Sequence, residues 1–396
     1  MRFITLILLL FSLVDAAEVD KKWASVKNCE ACHQSIAKHW ETSRHANAHF
    51  SKNDLYKKSL EYMVMKNPQY IIDEMKVKCA KCHNTRISKN SMSDEEKILL
   101  ILDDDSVKKE FSSVLNSEQM KHGINCVVCH NIEEIHLDKT VGSQGLKGVK
   151  FGEQGVMFGP FKDGDSPHHK VAYKKHFADD SPTLCFTCHY SHKNEHGLEV
   201  YSTGREYDEV KSKEGCRSCH MSAKKKGVAS EYAEFGKKPK ERMVRDHRFA
   251  SVDNSKILQD NLEIKSYIDK TDFIVELSNK APHKIPTGYG LREVILTAQF
   301  YNGSKKVAQK VERLSAVWHD KEGKVTLPFM AVKKAKDTRL APKGSKKYTF
   351  AIPQGALSAK YILSYRFIGK EMAKAIKLSD PFFLKEYKLK EETLTF

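Results

Sequence analysis

Cys29-Glu-Ala-Cys32-His33, Cys79-Ala-Lys-Cys82-His83, Cys126-Val-Val-Cys129-His130, Cys185-Phe-Thr-Cys188-His189 and Cys216-Arg-Ser-Cys219-His220 are five copies of one pentapeptide, and they use all ten cysteines of the 396-residue chain. Two thiols three residues apart can each bond a vinyl group on one edge of a porphyrin. The histidine that follows then lies beneath the iron and supplies its proximal nitrogen. The pattern predicts five covalently bound haem c groups, with His33, His83, His130, His189 and His220 as metal ligands. A zinc ribbon sets its two Cys-x-x-Cys halves about 15–20 residues apart. Here successive first cysteines lie 50, 47, 59 and 31 positions apart, and zinc has no need of histidine at the next position in every copy. Vicinal pairs followed by histidine are also not how small secreted scaffolds space their disulfides, and this chain is not small.

The N-terminus suits that chemistry. Met1-Arg2 is a short basic start, Phe3 to Val14 is apolar, and Val14-Asp15-Ala16 offers small residues for cleavage. Residues 1–16 read as a secretory signal peptide cut after Ala16. A bilayer takes about 20 apolar residues, so an uncleaved anchor is the weaker reading and no transmembrane span is expected. Export to the periplasm, where c-type haem is attached, is the expected localisation; the oligomeric state is open. The chain carries 67 basic and 51 acidic residues, a formal charge of +16. Charge alone would suggest nucleic acid, which export and haem attachment argue against. Five ferric haems with their propionates bring roughly −5, leaving about +11. Such a surface favours redox partner proteins that are acidic at the docking face; the plain alternative is that the lysines maintain solubility.

Residues 17–255 read as a pentahaem domain, mainly α and loop, in which porphyrins replace much of the apolar core. Ser93 and Glu96 form a capping-box signature ahead of Ile98, Leu99, Ile101 and Leu102. Val107 to Leu115 continues this packing insertion after a break at Asp103-Asp104-Asp105. Gly142 to Gly164 is glycine-rich and reads as turns and short strands over a haem face. Met221 to Arg245 is basic, with Lys224-Lys225-Lys226 and Lys237-Lys238-Pro239-Lys240. It reads as a solvated connection or as the docking site of an acidic partner.

Residues 256–396 contain no cysteine and change to period two. Phe273, Val275 and Leu277 alternate with Ile274, Glu276 and Ser278; Val294, Leu296, Ala298 and Phe300 repeat the scheme, as do Tyr361, Leu363, Tyr365 and Phe367. With turns at Asn302-Gly303 and Glu322-Gly323, this predicts an all-β, sandwich-like domain.

Five of the 18 histidines lie in the motifs, which leaves 13 for other roles. Two histidines close an iron for electron transfer, whereas an empty position admits a substrate. His45 and His49 follow the first motif in Trp40-x-x-Ser43-Arg44-His45-Ala46 and are expected on one face of a helix. His122 precedes the third motif, His168 and His169 precede the fourth, His247 follows the fifth, and His283 lies in Ala281-Pro282-His283-Lys284-Ile285-Pro286-Thr287-Gly288. His39, His136, His176, His192, His196 and His319 are weaker candidates.

The flanks of these motifs carry a resemblance. Trp40-x-x-Ser43-x-His45-Ala46, Gly123-Ile124-Asn125-Cys126, Pro167-His168-His169, Ser181-Pro182-x-x-Cys185, Gly215-Cys216, Cys219-His220-Met221, His247-Arg248-Phe249 and His283-Lys284-Ile285-Pro286-Thr287-Gly288 are the matching features. On them the chain resembles the multihaem cytochrome c superfamily that includes the tetrahaem carrier of ammonia oxidisers, hydroxylamine oxidoreductase and octahaem tetrathionate reductase. Asp337-Thr338-Arg339-Leu340-x-Pro342 is similar to the β-rich domain attached to some members. The resemblance implies closely spaced, mostly bis-histidine haems, with His45, His122, one of His168 and His169, His247 and His283 as distal metal ligands. The chain departs from the named enzymes in having five haem motifs against eight. It has no Cys-x-x-Cys-Lys, and none of its 15 tyrosines is identifiable as a haem crosslink.

The leading functional expectation is a pentahaem cytochrome relaying electrons in an anaerobic or respiratory chain. The alternative is a haem oxidoreductase acting on a small nitrogen or sulfur compound at one five-coordinate haem. A third reading makes the β-domain a docking module. No catalytic residue is assigned. Amino-terminal sequencing of the purified protein is expected to begin at Ala17; a chain starting at Met1 would refute the cleaved signal.

Overall fold

The computed structural model describes residues 19, 21–139, 144–233, 238–253 and 256–396. The expected signal segment 1–16, Gly142, Lys237 and residue 255 at the expected domain boundary lie outside the described residues.

Helices in the motif-bearing part are mostly short, and five of those described open on a side-chain cap. The second motif ends the helix Ile72–His83, the third forms Cys126–His130, the fourth ends Thr183–His189 and the fifth forms Cys216–His220. The first begins in Val26–Glu30 and continues through a turn to Gln34–Glu41. The capping box is present: Glu96 N–H donates to Ser93 Oγ at 3.2 Å and Ser93 N–H donates to Glu96 Oε2 at 2.7 Å, opening Asp94–Ile101. Asp104 caps a separate helix, Asp105–Leu115, whose Val107, Phe111 and Leu115 are buried. No residue of Asp94–Ile101 is fully buried: Leu99 and Leu100 pack at the margin of the cluster around Phe111, and Ile98 and Ile101 stay exposed.

The expected helix through His45 and His49 does not form. Helix ends at Glu41, and turns follow through His45 and His49. Trp40 Nε1 donates to Ile124 O at 2.8 Å, and Ile124 N–H donates to His45 O at 3.0 Å. These long-range bonds take the backbone that helix continuation would have used. The described part of the glycine-rich segment runs as turns and short strands, including Val149–Phe151 and Val156–Gly159. Gly145, at φ +77°, lies against the second motif so closely that a Cβ there would sit 2.3 Å from Lys81 O.

Seven strands dominate the C-terminal part: β1 (Leu262–Asp269), β2 (Asp272–Asn279), β3 (Glu293–Asn302), β4 (Lys305–Leu314), β5 (Ser345–Ala351), β6 (Ser358–Arg366) and β7 (Tyr387–Thr395). They form an antiparallel sheet ordered β5-β2-β1 and another ordered β4-β3-β6-β7. Their inward residues follow the period-two pattern: Phe273, Val275, Leu277, Val294, Leu296, Ala298, Phe300 and Tyr361 are all fully buried. Phe273 meets Phe300 edge-to-face at 6.1 Å. Two short helices, Lys370–Ala375 and Pro381–Leu384, interrupt the strands.

One hydrophobic cluster serves both parts of the chain. Leu55, Tyr62 and Met63, from the helix Asp54–Lys66, belong to the cluster built by the strands. Burying an aromatic ring of this kind stabilises by about 1.5–3 kcal/mol. Phe300→Ala adds a cavity and is expected to cost about 3–5 kcal/mol. The measurement is a lowered denaturation midpoint in far-ultraviolet circular dichroism at unchanged haem content per chain.

Candidate haem-binding centres

The ten cysteines are free thiols. Cys29 and Cys126, Cys82 and Cys188, and Cys185 and Cys216 are near enough to shift one another's ionisation. Each contact joins two different motifs. Among the described residues no group of three or more His, Cys, Asp or Glu side chains gathers as a single metal ion would need.

The histidines gather in twos. His33 faces His169 with ring centres 6.3 Å apart, His189 faces His45 at 6.2 Å, His130 faces His247 at 6.3 Å and His220 faces His283 at 6.4 Å. An imidazole nitrogen binds a metal at about 2 Å, and the ring centre lies about 1 Å behind that nitrogen. Two rings sharing one iron therefore stand about 6 Å apart. In each pair one ring belongs to a motif and the other comes from a distant stretch of chain.

Hydrogen bonds fix how these rings present themselves. Nδ1 of His33 lies 2.6 Å from Ala229 O, that of His83 2.9 Å from Ala48 O, that of His130 2.8 Å from Phe158 O and that of His220 3.0 Å from Ala250 O. On the opposing rings, Nδ1 of His169, His247 and His283 lies 3.1, 3.1 and 3.0 Å from the carbonyls of Lys170, Arg245 and Lys284. A carbonyl can only accept, so the proton sits on Nδ1 and the Nε2 lone pair is left for a metal. Burial and the neighbouring His189 hold His45 down at about 3; burial and His220 hold His189 at about 4; burial and His130 hold His247 at about 4. These rings are neutral at physiological pH, as ligation requires.

The pair His45–His189 differs from the others. Nδ1 of His45 is buried without a hydrogen-bond partner. The pair occupies a central position, because His45 feels the charges of His189, His220 and His83.

His83 has no histidine ring opposite it among the described ring contacts. Tyr56 stacks on it instead, 4.3 Å between centres and 25° between planes, which leaves no room for an iron between the two rings. The Tyr56 hydroxyl hydrogen-bonds with Cys79, and burial keeps it protonated.

The other sequence candidates go elsewhere. His122 lies 3.7 Å from Glu118 at the end of a short helix. His168 packs edge-on against Tyr232 at 4.8 Å, while its neighbour His169 meets His33. His49 has both nitrogens engaged, with Ser51 Oγ at 2.7 Å and Leu115 O at 2.8 Å. His39 lies 3.4 Å from Asp246. Tyr56 was not singled out by sequence; its place on a capped helix, facing a motif 27 residues away, left no local signal.

Anion-binding capacity accompanies the rings. Arg217 is 7% exposed; Nη1 donates to Phe177 O at 2.7 Å, Nη2 faces Asp179 Oδ1 at 3.8 Å, and Nε has no hydrogen-bond partner. Arg292 Nη1 donates to Thr287 O at 3.0 Å and its buried Nε is likewise unmet; its charge reaches His189 and His220. Buried guanidinium donors call for acceptors, and haem propionates would supply them. The thiol pairs, facing neutral imidazoles and unmet cationic donors all fit haem c.

Comparison with known proteins agrees. Residues 28–106 match the family of cytochrome c554 and c-prime. The fold is similar to that of a penta-heme cytochrome c552 from Thermochromatium tepidum, with 16% sequence identity, a TM-score of 0.72, and coverage of 96% of this chain and 100% of that one. No curated protein matches the chain. The family match is confined to residues 28–106 and the structural likeness is one of fold; both accord with the haem c attachment that the five motifs predict. No helix among the described residues is long and apolar enough to cross a membrane.

Replacing His45, His169 or His247 singly by Ala is expected to convert about one fifth of the ferric haem from low to high spin. His122→Ala and His168→Ala are expected to leave the spectrum unchanged. Electron paramagnetic resonance of the ferric holoprotein checks both outcomes.

Proposed function

We propose that this chain is a periplasmic pentahaem cytochrome relaying electrons in an anaerobic or respiratory chain, with five haem c groups held by the five motifs. The observation that carries this reading is the set of four facing histidine pairs. It supports His169, His247, His45 and His283 as the sixth ligands for the first, third, fourth and fifth motifs. Iron closed by two histidines on either side of the ring passes electrons without binding substrate. In this reading the motif-bearing part, 17–255, is the wire, and the strands of 256–396 form a sandwich-like domain that completes it.

The thiol contacts support a connected path. Cys29 and Cys126 bring the first and third motifs together, and Cys185 and Cys216 the fourth and fifth. Cys129 lies within the electrostatic reach of Cys188 and Cys185. The fourth motif is then the junction, touched also by the second through Cys82 and Cys188. The fifth motif is the outlet: Cys219 is exposed, and the hairpin that follows, Lys225–Val228 with Glu241–Val244, carries exposed Lys224, Lys225 and Lys226. A partner acidic at its docking face fits that edge.

His83 favours a second reading beside the first. With Tyr56 rather than a histidine against its ring, the haem of the second motif would keep one iron position open, where a small nitrogen or sulfur compound could bind. The junction would feed that site with electrons, and no side chain is assigned a catalytic role.

The two readings separate in one set of measurements on the holoprotein. A ferric spectrum with about four fifths low-spin and one fifth high-spin haem, and binding of one carbon monoxide per reduced chain, is expected. Wholly low-spin iron indifferent to carbon monoxide and cyanide would remove the open site and leave the relay. Oxidation by hexacyanoferrate(III), an anion, is expected to slow as salt rises. A rate independent of ionic strength would count against the acidic partner.

A further inference from the structure

His283 stands 63 residues beyond His220 in the sequence, yet their rings face each other at 6.4 Å. The loop that carries it is gripped from two sides. On the strand side, Asn279 Nδ2 donates to His283 O at 2.7 Å and to Ala341 O at 2.8 Å. Ile285 and Leu340 exchange backbone bonds of 3.0 and 2.9 Å. This interlocks the two stretches that the sequence resemblance singled out, His283 to Gly288 and Asp337 to Pro342.

On the motif side the grip is centred on one carboxylate, with Thr203 Oγ1 also 3.0 Å from Thr287 Oγ1. Glu206 lies in the helix Thr203–Glu209, between the fourth and fifth motifs, and is 2% exposed. Its Oε2 accepts from Lys284 N–H at 3.0 Å and from Thr287 Oγ1 at 2.7 Å, so it binds the loop on the residue next to His283 and again three residues on. Its Oε1 accepts from Ser202 Oγ at 2.9 Å and faces Arg339 Nη1 at 3.7 Å. Arg339 forks onto Asp337 at 2.8 and 2.6 Å, and Lys284 Nζ reaches Asp337 at 3.1 Å. Burial would raise the Asp337 carboxyl, but Arg339 and Lys284 hold it well below the usual carboxylate range. Two acids and two bases therefore balance in a largely dry pocket.

A buried ionic group of this kind is weak evidence for stability, because desolvation offsets most of the attraction. Its directionality is another matter: hydrogen bonds to a charged acceptor fix geometry, and an apolar replacement would not. We propose that Glu206 is a positioning residue for the haem of the fifth motif, reaching from the motif-bearing part to hold His283 over His220. The inference rests on the reading of those two histidines as ligands of one iron. The ligation of the outermost haem then depends on a contact between the two parts of the chain. Loosening that contact would open the iron without touching either ligand.

The test uses four variants of the full holoprotein, followed by electron paramagnetic resonance and redox potentiometry. His283→Ala is the reference and is expected to convert about one haem in five to high spin. Glu206→Ala is expected to give that same new signal and to shift the same single midpoint potential. Glu206→Gln, which keeps an acceptor oxygen, is expected to restore most of the low-spin intensity. Thr287→Val removes the hydroxyl's bonds to Glu206 and Thr203 without disturbing the charge balance and is expected to give a mixture; it decides the matter should Glu206→Ala not fold. If His283→Ala leaves the spectrum unaltered, the ligand reading falls and this inference with it. If His283→Ala behaves as expected but Thr287→Val and any folded Glu206→Ala match the unmodified protein in spin state and potential, the positioning role alone is overturned.

Discussion

Each facing pair of neutral imidazoles imposes a distance that the rest of the chain must satisfy. Ring centres near 6 Å suit an iron between two imidazoles, each nitrogen about 2 Å from the metal. The motif places only one ring of each pair. The other must be delivered from elsewhere, with its Nδ1 turned to a carbonyl so that Nε2 faces inward. Three of the four delivered rings take that carbonyl from their own residue's neighbourhood: Lys170 for His169, Arg245 for His247 and Lys284 for His283. A loop that closes on its own histidine needs no long helix behind it, which explains why short strands and turns fill so much of the motif-bearing part.

The exception is informative. His45 receives no such carbonyl, and its partner ring His189 has His220, Arg292 and His83 within electrostatic reach. A ligand whose N–H is not drawn towards an acceptor is a weaker donor to iron, and a nearby guanidinium favours the less positive oxidation state. Both effects act in the same direction. They would make the junction of the wire easier to reduce than a similar haem at its periphery, which suits a point where electrons from several neighbours meet.

Attachment was legible in the sequence because it is local: thiol, thiol and histidine fall within five residues. The strands were legible for a related reason, since alternation of Phe273, Val275 and Leu277 records a buried face without reference to any partner. The distal rings were legible only as a set of candidates. Nothing near His45 says that it meets the fourth motif and not the first, because that pairing is made by Trp40 and Ile124 across 84 residues. His168 and His169 are equivalent in sequence, and backbone direction alone sends one to Tyr232 and the other to His33. His122 kept a motif-like context but is drawn to Glu118, one turn back on its own helix. The capping box correctly announced a helix, yet Ile98 and Ile101 stay at the surface and only Leu99 and Leu100 touch a core cluster, since a cap governs where a helix starts and not what it packs on.

The strand-rich part therefore does more than cover a porphyrin edge. It supplies His283 to the fifth motif and, through the shared cluster with Leu55, Tyr62 and Met63, it fixes the helix that carries Tyr56 to the second. Ser59, one turn on from Tyr56, contacts Tyr289 at 3.1 Å, and Tyr289 lies in the same stretch of chain as His283 and Thr287. In the proposed ligation the fifth motif's centre and the second's, for which the described ring contacts include no facing histidine, both rest on one packed body. A shift of that body would alter both, whereas the pairs His33–His169 and His130–His247 are built from the motif-bearing part alone. In the proposed ligation three centres are built from the motif-bearing part alone, and the geometry of the fifth motif's centre is set by the packing of the strands.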